Sequence, residues 1–169
     1  MKVKTTLLAI TALLALLACP ATAQQNLGDI LSQVGYDSMI GKWTATDDSG
    51  NVYKLEYKWI LDKHAVSVVF KAPQMEYQGM IMFVPYNEQV IQIGADNKGG
   101  TIKGSWSEDY DGAAHRMENE KADGTIEKTE HVHIMVDSNT FKVKEYPIES
   151  NGWRASQPRG ELTFKRQKK

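Results

Sequence analysis

Val52-Tyr53-Lys54-Leu55-Glu56-Tyr57-Lys58-Trp59-Ile60-Leu61-Asp62-Lys63-His64-Ala65-Val66-Ser67-Val68-Val69-Phe70 is the stretch whose reading decides the fold. Leu55, Tyr57 and Trp59 alternate with Lys54, Glu56 and Lys58, the period of a strand with one buried face. A tight turn at Asp62-Lys63 sets Trp59 opposite Val66, Tyr57 opposite Val68 and Leu55 opposite Phe70. Residues opposite one another share a face of the sheet, so the apolar partners agree and the lysines lie outside.

The same grammar continues outward from this hairpin. Turn-forming clusters recur every 8 to 14 residues or so, among them Asp47 to Asn51, Ala72-Pro73-Gln74, Pro85 to Glu88, Asp96 to Gly99, Asp109 to Gly112, Lys121 to Gly124 and Asp137-Ser138-Asn139. Most of these connections are too short for crossovers, which predicts an all-β, antiparallel up-and-down meander of about ten strands. Counting across the turns pairs Ile93 with Ile102, Trp106 with His115, His115 with Glu130, Ile134 with Val143 and Val136 with Phe141. On the fourth strand Tyr77, Gly79, Ile81 and Phe83 face in by one turn, and the loop at Pro85 to Glu88 then needs an odd length or a bulge to agree. A meander with one apolar face buries it, and loses both exposed edges, by closing into a barrel. At about ten strands the interior is wider than its side chains fill, so a cavity is expected.

Ahead of the strands, Leu27, Ile30, Leu31 and Val34 recur at helical spacing and predict one short capping helix ending near Gly35. Residues 1–23 read as a signal peptide. Lys2 and Lys4 precede an apolar run from Leu7 to Ala18, and Ala21-Thr22-Ala23 offers small residues for cleavage. The run is about a dozen residues, short of the roughly 20 that span a bilayer, so no transmembrane segment is expected. A second cut site competes: Leu16-Leu17-Ala18-Cys19 has the form of a lipobox, although Pro20 is atypical after a lipidated Cys. The expectation is a periplasmic or secreted protein whose residues 24–169 form a single barrel domain, with lipid anchoring through Cys19 as the alternative. A formal net charge of −1 and a pI near 6.4 give no electrostatic footprint for nucleic acid. A single Cys excludes an intrachain disulfide framework and Cys-cluster metal sites.

Gly41-Lys42-Trp43, opening the first strand just after the helix, resembles the Gly-x-Trp signature of the lipocalin/calycin superfamily. The companion of that signature is a basic residue on the last strand packed over the Trp, and Arg166 shares a face with Leu162 and Phe164 at the matching end. Trp59 to Lys63, Gly100 to Trp106 and Asp137 to Phe141 also resemble segments of uncharacterised exported bacterial proteins with a lipocalin-like barrel. The resemblance implies a calycin-like barrel and a tendency to hold small apolar molecules. The chain lacks the later loop motifs and disulfides of lipocalins proper, so no specific ligand is implied.

Strand direction gathers Trp43, Trp59, Phe83, Ile91, Trp106, Phe141 and Arg166 toward one end, with the helix as plug. Toward the other end the expected ligand-lining set is Tyr57, Val68, Phe70, Tyr77, Ile93, His115, Met117, Lys128, Glu130 and Glu145, an apolar wall with a few converging polar groups. The competing reading packs these side chains solid, with Lys128 snorkelling to the rim. The first functional reading is an exported carrier or sensor of a small hydrophobic molecule. A second is an enzyme using His115 with Glu130 as an acid/base pair, although no nucleophile motif accompanies them. A third is a cell-envelope interaction protein marked by outward Met80 and Met82. His131 and His133 share a strand face at metal-chelating spacing. Because Ile126, Val132 and Ile134 make the opposite face the apolar one, the histidines are expected to point outward, and no metal or cofactor is expected. A homodimer is left open.

Overall fold

A computed structural model describes residues 25–168; the expected signal peptide and Cys19 lie outside the described residues. Helix α1 (Leu27–Gln33) leads into ten strands: β1 (Gly41–Thr46), β2 (Val52–Leu61), β3 (Ala65–Ala72), β4 (Met75–Val84), β5 (Gln89–Asp96), β6 (Thr101–Asp109), β7 (Gly112–Glu120), β8 (Ile126–Asp137), β9 (Thr140–Pro147) and β10 (Gly160–Arg166). Every strand pairs antiparallel with its neighbours in sequence, and β1 pairs with β10 through Trp43↔Arg166 and Thr44↔Lys165, so the meander closes into a barrel of calycin type. Closure leaves no edge strand to template pairing with another chain.

The helix starts at a capping box. The Asn26 side chain accepts from Asp29 N at 3.0 Å while the Asp29 carboxylate accepts from Asn26 N at 3.3 Å, which occupies two backbone donors that a helix start leaves unpaired. Leu27 is fully buried, and Gly28 N donates to Lys63 O at 2.9 Å, pinning the helix to the β2–β3 turn at one end of the barrel. Tyr36 and Met39 are buried beside it and complete the plug.

At this closed end the Gly-x-Trp motif acquires its physical meaning. The Arg166 guanidinium lies 4.1 Å from the Trp43 ring and donates to the carbonyls of Ser38, Ile40 and Ser138. Trp43 Nε1 donates to Met39 O at 2.9 Å, and its ring meets Phe141 edge-on at 4.7 Å, with Phe164 stacked behind at 5.0 Å. Gly41 has no side chain because a Cβ there would overlap Arg166 Nη1. One residue thus ties the last strand to the first strand and to two loops.

The β2–β3 pairs are Trp59↔Val66, Tyr57↔Val68 and Leu55↔Phe70, and Trp106 lies opposite His115, all as the sequence predicts. Four other pairings differ by one residue. The Pro85 to Glu88 loop is even, joining Val84 to Gln89, so Ile81 pairs with Gln92 and the inward side chains of β5 are Val90 and Gln92 rather than Ile91 and Ile93. The odd loop comes next. Asn97-Lys98-Gly99 holds three residues between Asp96 and Gly100, with Gly99 at φ +86°, so Ile102 pairs with Gly94 instead of Ile93. Ala122-Asp123-Gly124 repeats the geometry between Lys121 and Thr125, with Gly124 at φ +82°, and pairs His115 with His131 instead of Glu130. A left-handed third residue is the signature of a three-residue hairpin, and glycine adopts it without a Cβ clash. In β8 a bulge at Val136 turns the expected pairs of Ile134 with Val143 and Val136 with Phe141 into His133↔Val143 and Met135↔Phe141.

Replacing Arg166 by Met removes the cation–π contact and the carbonyl hydrogen bonds together. We expect a loss of about 2–4 kcal/mol in urea unfolding. Lys at the same position should recover little of it, because a point charge cannot fork between carbonyls.

Candidate functional site

The end opposite the helix opens into a cavity of about 800 Å3. Its position follows from strand direction: Asp47 and Asn51 of the β1–β2 loop, Pro73 and Gln74 of the β3–β4 loop, and Arg159 ahead of β10 surround the mouth. Leu55, Val68, Phe70, Val143 and Leu162 contribute aliphatic and aromatic wall, while Tyr57, Tyr77, Gln92, Trp106, His115 and Thr129 add polar groups.

The polar wall is tied together in part. Trp106 Nε1 donates to Gln92 Oε1 at 3.1 Å, and Gln92 Nε2 donates to Tyr77 Oη at 3.2 Å, which fixes the amide's orientation. Trp106 stacks on His115 at 4.7 Å with the planes 9° apart, and it also touches His133 at 4.8 Å. Gly104 makes room for this stack, since a Cβ there would stand 2.8 Å from His115 Nε2. Beyond these contacts the wall is unsatisfied. His115 Nε2, His131 Nε2, His133 Nδ1 and Asn119 Oδ1 are buried with no hydrogen-bond partner among the described residues.

Burial, with a smaller contribution from His131, lowers the His115 pKa to about 3. Burial likewise pushes His133 well below the usual imidazole range, helped by His131 and His115. Both rings are therefore neutral near pH 7. Glu145 behaves in the opposite way. The His131 imidazole beside it and then Arg159 hold its carboxyl down to about 2 against the effect of burial, so it is ionised. His131 Nε2 stands 3.7 Å from Glu145 Oε1, outside hydrogen-bond distance. Arg159 donates to Glu145 and, at 2.7 Å, to Glu127. Burial also raises the hydroxyl pKa of Tyr57 and Tyr77.

Of the expected lining residues, Tyr57, Val68, Phe70, Tyr77, His115, Met117 and Glu145 surround this cavity. Three do not. Ile93 is 52% exposed on the outer face, turned there by the even loop from Pro85 to Glu88. Lys128 is outside and bonded to Glu118 at 2.7 Å. Glu130 is outside with Arg154 at 3.0 Å, so it cannot act with His115 as an interior acid/base pair. The correction runs the other way for His131 and His133, expected outward and found on the cavity wall. The misleading signal was the apolar row beside them. Ala114, Val132 and Tyr146 form a separate buried cluster, with Ile134 packed against it, on the outer face. The excursion between Pro147 and Gly160 folds against that face. Arg154 lies 4.8 Å from the Tyr146 ring and bonds Asp109 and Glu130, while Arg116 donates to Gly152 O. Apolar residues on β8 thus face a covering loop rather than the interior.

Met80 and Met82 face outward as read from the sequence, opposite Ile93 and Ile91. Among the described residues no group of three or more His, Cys, Asp and Glu side chains is arranged to hold a metal ion, and no helix is long and apolar enough to cross a membrane. No protein-family model matches the chain, and no curated protein matches it.

Acid should weaken this fold through two groups of the same sign. His115 and His133 bind protons more readily unfolded, near pH 6.5, so their contribution is complete above that pH and is lost as pH falls below it. Glu145 contributes fully above about pH 4.5 and loses its contribution toward about 2. His115→Phe removes one histidine from this balance. Between about pH 6.5 and 5 it should gain about 2 kcal/mol relative to the wild type in urea unfolding.

Proposed function

We propose that the protein is an exported binding protein that carries or senses a small, largely apolar molecule inside its barrel. The observation that carries this reading is the cavity, whose volume of about 800 Å3 falls in the range of small-molecule sites. Its wall combines aliphatic and aromatic side chains with a few fixed polar groups, the pattern that gives both affinity and orientation. The outer surface supports a life in water: Lys71–Glu76, Lys103–Glu118 and Lys142–Glu161 pairs stud the strands at 3.0, 3.5 and 2.9 Å. A lipid-facing barrel would carry an apolar band there. The leader at residues 1–23 supplies the route of export, to the periplasm or beyond, with release at Ala23 favoured over lipidation at Cys19.

A second reading, an envelope interaction protein without a ligand, draws on the outward row of Met80, Met82, Ile91 and Ile93. It requires the interior to stay empty. The two are separated by native mass spectrometry of protein purified from its host without denaturant, and by titration with the uncharged fluorophore N-phenyl-1-naphthylamine. The carrier reading expects a retained small-molecule mass and a saturable rise in fluorescence. Leu162→Trp, which fills the wall near the mouth, should weaken the fluorophore by about tenfold or more, as loss of roughly 1.4 kcal/mol would. A bare protein mass with no saturable signal contradicts it.

A further inference from the structure

The imidazoles of the cavity wall are gathered on one side of the barrel. Gln92, Trp106, His115, His131, His133 and Glu145 come from β5 to β9, five strands that are adjacent around the barrel. Leu55, Val68, Phe70, Leu162 and Phe164 come from β2, β3 and β10 of the facing sector, where the Tyr57 hydroxyl is the polar exception, as Ile102, Met117 and Val143 are the apolar exceptions on the first side. A chain with one polar end matches a cavity whose polar groups sit at one end. A cavity polar along one side matches a molecule that is polar along one edge.

The polar sector is also incomplete as it stands. His115 and His133 are 3% and 4% exposed, and each has a ring nitrogen with no partner, as does His131 between them. Those three atoms are covered by the wall itself; the other ring nitrogen of each, Nδ1 of His115 and His131 and Nε2 of His133, also lacks a hydrogen-bond partner among the described residues and is the one an occupant meets. A neutral imidazole can donate from one nitrogen and accept at the other, so the sector can bind a hydroxyl, which needs both, or a ring nitrogen. What it disfavours is an anion. The imidazoles of His115 and His133 carry no charge to meet one, and the ionised Glu145 stands in the same sector next to His131. Arg159 is already engaged by Glu145 and Glu127, and Asp47 adds a further acid at the mouth.

Building on the carrier reading, we propose that the occupant is an uncharged ring compound bearing a hydroxyl or ring nitrogen along one edge, with that edge against His115, His131 and His133 and its apolar face against β2, β3 and β10. Long-chain carboxylates and other organic anions are poor occupants of this barrel.

Calorimetric titration with 2-naphthol, naphthalene and 2-naphthoate at about pH 7.5 tests this, since the three share one ring system and differ in the edge group. We expect 2-naphthol to bind about tenfold or more tightly than naphthalene, the worth of one or two buried hydrogen bonds, and 2-naphthoate to bind at least about tenfold more weakly than 2-naphthol. His115→Phe should bring 2-naphthol to within about threefold of naphthalene in the same variant, because a ring still stacks on Trp106 and only the nitrogen is lost. His131→Phe, at a less buried position, provides the same comparison if the first variant does not fold. If 2-naphthoate equals 2-naphthol, or 2-naphthol has no advantage over naphthalene, the inference is overturned while the carrier reading stands on naphthalene or N-phenyl-1-naphthylamine binding. If none of these uncharged probes binds, the carrier reading fails and this inference with it.

Discussion

A hairpin loop of three residues that ends in a left-handed glycine governs which side chains enter this barrel. Side chains alternate along a strand, so one extra loop residue moves a whole strand's pattern to the other face. Gly99 and Gly124 each impose that step. The first brings Ile102 inside, opposite Gly94; the second brings His131 and His133 inside and sends Glu130 out to Arg154. The chemical character of the cavity, three histidines facing an aliphatic wall, follows from the backbone conformation of two glycines.

Placing neutral imidazoles inside a barrel opposes stability, and the closed end offsets it. There Trp43, Phe141, Phe164 and Leu27 are almost fully buried, and Arg166 joins the first strand, the last strand and two loops through one guanidinium. The division of labour is between the two ends of one barrel. Dense packing, a helix plug and a shared cation hold the fold at one end. At the other, unsatisfied nitrogens and a cavity are tolerated because the fold does not rely on them.

Much of this architecture is legible in the sequence because it depends on local patterns. The alternation of Leu55, Tyr57 and Trp59 with lysine and glutamate and the pairing of Trp106 with His115 follow from counting residues, and Trp59 meets Val66 as counted because a bulge between Trp59 and Leu61 offsets the three-residue turn Asp62-Lys63-His64. Gly41, Trp43 and Arg166 meet because meander topology brings the first and last strands together. The wall of the cavity is less legible for two physical reasons. Asp96-Asn97-Lys98-Gly99 and Lys121-Ala122-Asp123-Gly124 read as turns, but their residue types do not separate an even loop from a three-residue loop with the glycine in the left-handed position. In addition, Val132 and Ile134 are apolar because the excursion after Pro147 packs over them, a long-range contact that period-two reading assigns to the interior. Between them these effects place Glu130 and Lys128 inside and the histidine pair outside, the reverse of the structure.

The claim on which the rest hangs is that His131 and His133 share the barrel interior with His115, and side-chain nitrogen spectroscopy reads it directly. In long-range 1H–15N spectra recorded from about pH 8 downward, His115 and His133 should keep the shifts of neutral imidazoles to about pH 5 while the barrel remains folded, against an ordinary histidine midpoint near 6.5. Protonation of either ring near pH 6.5 in the folded protein would place it in water and contradict the account.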